Sequence, residues 1–367
     1  MEDFSFMFPV KVYCGNNSLT NLNILKYKKV LLMYGKNSLK SSGNYDKIVT
    51  YLNLYEIEFI DFGGIDKPDY KKVLEAIEIC KKEEIEAVIG VGGSTIMDMA
   101  KIVSFGALND NLWDYLSHKE DPTGLDHLFT VEIPTYPAGG SETDSAAEID
   151  DFENNRHGSL YGIYPDVAIL CPYLTYSLDI KQTSYSIMEQ FVQASCSMLG
   201  SVGIGRRIAR SVIKNLMYSG DILLKDLNNL EARTNLLINS SINVSGLMSN
   251  GGSEIGYSIY SLEGIGESLL NMSYRDALIV YFPLFLKGLY NINKDLVLEY
   301  FNDLFKTKNI EDGFKMLYFI YDKYGMPKNY LKFGKCPSND ILNEFCEACD
   351  PFSKEEVINI FKSGFNQ

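Results

Sequence analysis

Residues 87–98 read Ala87-Val88-Ile89-Gly90-Val91-Gly92-Gly93-Ser94-Thr95-Ile96-Met97-Asp98. A short apolar run meets a glycine pair and then a helical pattern that continues to Gly106. That is a strand, a tight turn and a helix, the repeating unit of a doubly wound α/β sheet. Outward from it, the runs Val30 to Tyr34, Glu58 to Phe62, Phe129 to Ile133 and Val167 to Leu170 have strand character. Between the second of these and Ala87 lies a helix over Tyr70 to Glu84, with Val73, Ile77 and Ile79–Cys80 on one stripe. The character changes near residue 178. Seven of the 11 Pro precede it. Long helical patterns follow, at Gln182 to Leu199, Arg206 to Leu216, Asn229 to Met248 and Asp276 to Leu289. The reading is an α/β N-terminal domain over 1–178 with a doubly wound, mostly parallel sheet, and an all-helical domain over 179–367.

Composition narrows the function. Lys+Arg number 34 and Asp+Glu 48, so the net charge of -14 repels phosphate backbones and anionic lipid. Nucleic acid and membrane are not expected partners. Seven Cys at uneven spacing among 367 residues read as reduced thiols rather than a disulfide framework. The start of the chain carries no basic segment before an apolar run, and no stretch has the length of a membrane span. A cytoplasmic protein is expected.

Three loops carry candidate chemistry. Gly92-Gly93-Ser94-Thr95 opens a helix, where exposed N–H groups and the helix dipole suit a phosphate or diphosphate. A plain strand-to-helix turn capped by Thr95 reads equally well. The spacing is not G-x-G-x-x-G. Tyr34-Gly35-Lys36-Asn37-Ser38 follows another strand, and Ile133-Pro134-Thr135-Tyr136-Pro137-Ala138-Gly139-Gly140-Ser141-Glu142 follows a third. Ligands of open α/β sheets bind at that edge. Cys346-x-x-Cys349, with Cys336 before it, lacks a fourth zinc ligand and reads as helix-face thiols. The acids Glu142, Asp144, Glu148, Asp150, Asp151 and Glu153 read as a solvated surface, and His157 beside Arg156 as a surface histidine. The three His have no G-x-S-x-G partner, so no Ser–His–Asp arrangement is present.

Taken together, these residues resemble the iron-containing (group III) alcohol dehydrogenases of the dehydroquinate synthase-like fold. The chain is most similar to the branch of bacterial NADPH-dependent butanol and aldehyde reductases. Phe8-Pro9-Val10-Lys11-Val12-Tyr13-Cys14-Gly15 resembles the family's opening strand, and Tyr34 to Lys40 with Gly43-Asn44-Tyr45-Asp46 its first nucleotide turn. Gly92-Gly93-Ser94-Thr95-Ile96-Met97-Asp98 resembles its G-G-G-S-x-x-D turn, with Ser94 in the third glycine's place. Trp113-Asp114-Tyr115, Pro134-Thr135, Gly140-Ser141-Glu142, Leu174-Thr175-Tyr176, Glu231-Ala232-Arg233 and Tyr324-Gly325-Met326-Pro327 recur there as well.

The resemblance implies an interdomain NAD(P) site. Gly92, Gly93, Ser94 and Thr95 would hold the diphosphate, and Gly35, Lys36 and Ser38 would face the adenosine ribose. Asp98 would lie near the nicotinamide ribose or amide, Thr135 near the cofactor, and Arg156 would take the place of a family lysine near the ribose. With Lys36 and no Asp in the first turn, NADPH is preferred to NADH. The resemblance also implies a homodimer joined near Phe6-Met7-Phe8-Pro9-Val10, and a small alcohol or aldehyde as substrate.

One family feature does not carry over. The family holds a divalent metal with one Asp and three His, and the matching positions here are Glu189, Gln193, Tyr260 and Tyr274. A further family His is Gly264. All three His of the chain, His118, His127 and His157, precede this region. A neutral amide and two phenols of ordinary pKa ≈ 10 are poor ligands for iron or zinc, so no tightly bound iron or zinc is expected. Losing the Lewis acid costs several kcal/mol of charge stabilisation. Three readings follow. The first is a metal-independent reductase with Tyr260 or Tyr274 as proton donor. The second is a catalytically silent nucleotide- or ligand-binding relative acting as sensor, scaffold or partner subunit. The third is a different chemistry on the same fold.

Overall fold

The computed structural model describes residues 3, 6–25, 29–248, 252–256 and 258–366. The described strands are β1 (Lys11–Cys14), β2 (Lys29–Gly35), β3 (Glu58–Ile65), β4 (Ala87–Gly92), β5 (Phe129–Pro134), β6 (Ala147–Asp151), β7 (Arg156–Leu160) and β8 (Val167–Leu170). Helices α1 (Ser38–Ser41), α2 (Asn44–Leu54), α3 (Tyr70–Lys82), α4 (Ser94–Gly106) and α5 (Leu112–Leu116) lie among them. After β8 come α6 (Ile180–Gly200), α7 (Gly203–Leu223), α8 (Leu230–Val244), α9 (Ser258–Leu270), α10 (Tyr274–Ile292), α11 (Lys294–Phe305), α12 (Ile310–Lys323), α13 (Asn339–Phe345) and α14 (Lys354–Ser363).

Six strands form one sheet in the order β1-β8-β5-β4-β2-β3, and every pairing is parallel. Its strands are apolar on both faces, as a sheet covered by helices requires. On one face Val30, Leu32, Ile89, Val91, Val131 and Ile133 pack with Ile48 and Leu52 of α2. On the other, Leu31, Met33 and Val88 pack with α3 and α4 through Val73, Ile77, Ile96 and Met99. The chain runs from β2 outward to β3 and then returns to β4 on the other side of β2. The helices that follow β2 and β4 therefore lie on opposite faces, which opens a crevice at the C-terminal ends of those two strands. β6 and β7 form a separate antiparallel hairpin.

The described residues divide into two compact units. One joins Met7–Leu178 to Asp226–Ser245; the other contains Asp179–Lys225, the described part of 246–367 and those before Met7. This differs from a simple cut after residue 178, because α8 packs with the α/β unit. Its Leu237 joins Val10, Ala168 and Leu170 in one apolar cluster. The reason is a buried cation. Arg233 of α8 is fully buried, and its guanidinium donates to the carbonyls of Leu227 (2.7 Å) and Leu178 (3.2 Å), at the two points where the chain re-enters and leaves this unit.

In the helical unit, α6 begins with a capping box between Asp179 and Gln182. Phe191 of α6 meets Phe282 of α10 edge to face at 6.1 Å. Pro283 inside α10 has no N–H, so the carbonyl of Ile279 loses its helical donor. The buried Tyr321 hydroxyl replaces it with a 2.6 Å hydrogen bond. No helix of the described residues is long and apolar enough to cross a membrane.

Candidate functional site

The glycine turns stand at the C-terminal edge of the parallel sheet. Tyr34 and Val91 are register partners at the ends of β2 and β4, so Gly35 and Gly92 leave the sheet side by side at the crevice. α4 starts at Ser94 with Gly93 as its N-cap, two residues earlier than a Thr95 cap would place it. The first N–H groups of a helix have no intrahelical acceptor. A Cβ on Gly93 would meet only Tyr136 Cβ, at 3.9 Å, so the glycine leaves open space beside those donors. The Thr135 amide donates to Gly92 O at 2.8 Å and ties the third loop to the turn. Gly139 in that loop approaches Ser94 so closely that a Cβ would stand 2.2 Å from its hydroxyl oxygen. Gly92, Gly93, Ser94, Thr95, Asp98 and Thr135 are thus gathered at one edge, beside Gly35.

Beneath the turn lies a buried charge network that the sequence reading missed. Asp98 accepts a 2.5 Å hydrogen bond from the Ser141 hydroxyl. Lys101, one turn further along α4 and fully buried, has its ammonium 3.4 Å from Asp98. It donates to Ser141 O (3.1 Å), Asp144 O (3.3 Å) and Ala146 O. Burial pushes the Asp98 carboxyl up to about 6, against the opposing pull of Lys101 and Ser141. Burial works to lower Lys101, but the charges of Asp98, Glu132 and Asp144 outweigh it and the net direction is upward. Glu132 projects from β5 into the same interior, fully buried, and among the described residues neither carboxyl oxygen is hydrogen-bonded. Burial drives its carboxyl far upward, against the opposing pull of Lys101. A charged residue inside the apolar run Thr130-Val131-Glu132-Ile133 was the available sequence signal. Glu142 is buried too and accepts 2.7 Å from Ser241 of α8, so it is no part of a solvated acid surface. Asp151 also departs from that expectation, being buried against Arg156.

The other nucleotide candidates are placed differently. Ser38 and Lys36 are exposed, and the Lys36 ammonium bonds the Asp66 carboxylate, delivered by the end of β3. Arg156 is on the β6–β7 hairpin. Its Nε donates 2.7 Å to Asp151 and its guanidinium lies 3.6 Å over the Trp113 ring. The structure does not group it with the glycine turns. His157 is exposed and bonds Asp150 at 2.9 Å.

The second candidate group lies in the helical unit. Glu189 and Gln193 are one turn apart on α6 and both buried; Tyr260 is half-buried on α9, and Tyr274 is exposed at the start of α10. Tyr185, one turn before Glu189, donates 2.7 Å to Asp276 of α10. Among the described residues Glu189 Oε2 is buried without a hydrogen bond. Burial pushes this carboxyl up to about 7, and only the charge of Arg275 opposes that rise. As a metal site the donor set does not fit. It offers one carboxyl whose charged form burial disfavours, an amide and two phenols, with a guanidinium charge acting on it. No group of three or more His, Cys, Asp or Glu among the described residues is arranged to hold a metal ion.

Comparison with known proteins agrees with this architecture. The profile of the iron-containing alcohol dehydrogenases matches residues 9–172. NADH-dependent butanol dehydrogenase B of Clostridium acetobutylicum is 28% identical over 82% of this chain and 78% of its own length. The NADPH-dependent aldehyde reductase YqhD of Escherichia coli is 25% identical over 68% of this chain and 67% of its own. The crystal structure of NADH-dependent butanol dehydrogenase A from Thermotoga maritima superposes with a TM-score of 0.87 at 26% identity, covering 99% of each chain. Residues 9–172 thus match the iron-containing alcohol dehydrogenases, and the whole chain shares the fold of the butanol dehydrogenase from Thermotoga maritima.

Proposed function

We propose that this chain is an NAD(P)H-dependent alcohol or aldehyde oxidoreductase that works without bound iron or zinc. The observation that carries the nucleotide part is the crevice between β2 and β4, where the Gly35 and Gly92 turns leave the sheet together. Gly92 to Thr95 would take the diphosphate, Asp98 the nicotinamide end, Thr135 would lie near the cofactor, and Gly35, Lys36 and Ser38 would take the adenosine ribose. NADPH is the favoured cofactor, NADH the other. Bound there, the dinucleotide supplies a hydride for a carbonyl carbon. The chain's part is to hold the carbonyl and deliver a proton to its oxygen, from Tyr260 or Tyr274. A positioned general acid contributes about 10²–10⁴-fold. The reading includes a small alcohol or aldehyde as substrate, a homodimer and a cytoplasmic setting.

The misfit of the donor set at Glu189, Gln193, Tyr260 and Tyr274 favours a second reading, a silent relative that binds nucleotide without turnover. Calorimetry with NADPH and NADH, followed by NADPH oxidation against a panel of aldehydes, separates the two. Binding with metal-independent turnover supports the first, and binding without turnover the second. No binding at millimolar cofactor rejects both.

A further inference from the structure

Ser94 and Asp98 stand one turn apart on α4, and both face the third loop. The Ser94 hydroxyl meets Gly139 of that loop, and Asp98 accepts 2.5 Å from the Ser141 hydroxyl two residues later. Asp98 keeps 17% of its side chain exposed, while Lys101 and Ser141 are buried. The Lys101 ammonium donates to the carbonyls of Ser141, Asp144 and Ala146. It therefore ties three points of the loop to α4, and it stands 3.4 Å from the carboxylate that the loop also holds. Resting on the cofactor reading above, we propose that Lys101 is a positioning residue: together with Ser141 it aims the Asp98 carboxylate at a hydrogen-bond donor on the nicotinamide end of the dinucleotide.

The acids around this ammonium have separate tasks. Glu132 comes from β5. Its register partner Gly90 lies so close to α4 that a Cβ would stand 2.9 Å from Ala100, and its other partner Ala168 packs with Leu237 of α8. Register partners share a sheet face, so Glu132 lies on the face that α4 and α8 cover. Asp144 accepts 3.2 Å from the Ala146 amide, and Glu142 accepts 2.7 Å from the Ser241 hydroxyl. Asp98 is the acid held by both the loop and the ammonium. Burial raises its carboxyl, Asp144 and Glu148 add to the rise, and Lys101 and Ser141 oppose it. The two groups that fix its position thus also favour its charged form, the stronger acceptor for an amide N–H or a ribose hydroxyl. Removing Lys101 takes away both effects and leaves the glycine turn, two helical turns away, with its amides.

The test is calorimetry of the full chain with two probes, NADPH and 2′-phospho-ADP, which ends at the diphosphate. Lys101→Met is expected to weaken NADPH binding about tenfold or more and 2′-phospho-ADP binding less than about twofold. Ser141→Ala should show the same selective loss. In an Asp98→Asn background, Lys101→Met should cost no further NADPH affinity, because the group it acts through is already gone. Equal losses for the two probes would make Lys101 a structural support only and overturn the proposal. An undiminished Lys101→Met effect in the Asp98→Asn background would overturn it too. If Lys101→Met does not melt cooperatively, Ser141→Ala decides by the same comparison of probes. Failure of the cofactor reading would look different: the unaltered chain would bind neither probe, and the proposal would fall with that reading.

Discussion

The Ser94 hydroxyl oxygen occupies the space that a side chain on Gly139 would need, 2.2 Å from the position of its Cβ. Two glycine-rich loops are locked face to face by this contact, and the first of them opens α4. Ser94 stands where the family has a third glycine, so the opposing glycine is the one that makes room.

A contrast between two glycines follows. Gly139→Ala should push Ser94 and the start of α4 out of position. It should cost about 1–3 kcal/mol of stability and weaken NADPH binding. Gly93→Ala should behave otherwise, since its backbone is extended (φ -93, ψ -175) and its Cβ meets nothing nearer than 3.9 Å. Its melting temperature should hardly move, while NADPH binding falls because the added methyl fills the space beside the helix amides. Equal binding by both variants would place the diphosphate elsewhere.

Lys101 supplies a second prediction. Its ammonium serves three carbonyls and one carboxylate with no exposure to water. Lys101→Met should cost roughly 3–5 kcal/mol by leaving a buried anion unpaired. Urea unfolding measures it. Adding Asp98→Asn should recover part of the loss, and a fully additive double variant would contradict the pairing.

Asp98 also predicts a pH effect. Its carboxyl rises from 3.8 to about 6 in the folded chain. Between those values the folded state holds a proton that the unfolded state releases. Its contribution to stability is therefore present below pH 4, is lost as pH rises to about 6, and stays flat above. The whole span is at most roughly 3 kcal/mol at about 1.4 kcal/mol per unit. Asp98→Asn removes it, so the deficit of the variant relative to the parent should shrink from pH 4 to 6. A deficit that grows over that range would contradict the buried, proton-holding state.

Much of this fold was legible because parallel strands buried on both faces are short apolar runs, and Ala87 to Val91 or Val167 to Leu170 cannot be mistaken for anything exposed. The helices were legible by period, but period does not say which layer a helix joins. α8 reads as one more helix of the second half; the buried contacts of Arg233, Leu237 and Ser241 assign it to the α/β unit. Among site residues, the glycine turns announce themselves by position after a strand. Lys101 and Arg275 do not, since a lysine or arginine on a helix is ordinarily a solvated side chain. Asp66 was invisible for another reason. Its pairing with Lys36 joins the ends of two adjacent strands, thirty residues apart in sequence.

The sheet edge gives a prediction about assembly. β1 is the outermost strand, paired with β8 on its inner side. Phe6, Met7 and Phe8 before it are all exposed. An open apolar edge of this kind favours pairing with a second copy. Light scattering should show a dimer, and Phe8→Lys should shift it toward monomer without changing the melting curve of the sheet. A monomer across a broad concentration range would exclude this use of the edge.

The Lys36–Asp66 pair bears on cofactor choice. The turn after β2 has no acid of its own, which by itself favours a 2′-phosphate. Yet the structure brings Asp66 onto the one cation of that turn, and Lys36 in return holds the Asp66 carboxyl below its ordinary range, so it is an anion at neutral pH. A 2′-phosphate must compete with it for Lys36. Both side chains are about half exposed, so solvent screens the pair and the competition is mild. Asp66→Asn should raise the ratio of NADPH to NADH affinity by roughly two- to fivefold. Lys36→Ala should lower it, because the phosphate then meets Asp66 with no cation between them. Calorimetry with both cofactors on the three proteins decides it. A ratio unmoved by either change would mean that the adenosine ribose does not reach this turn.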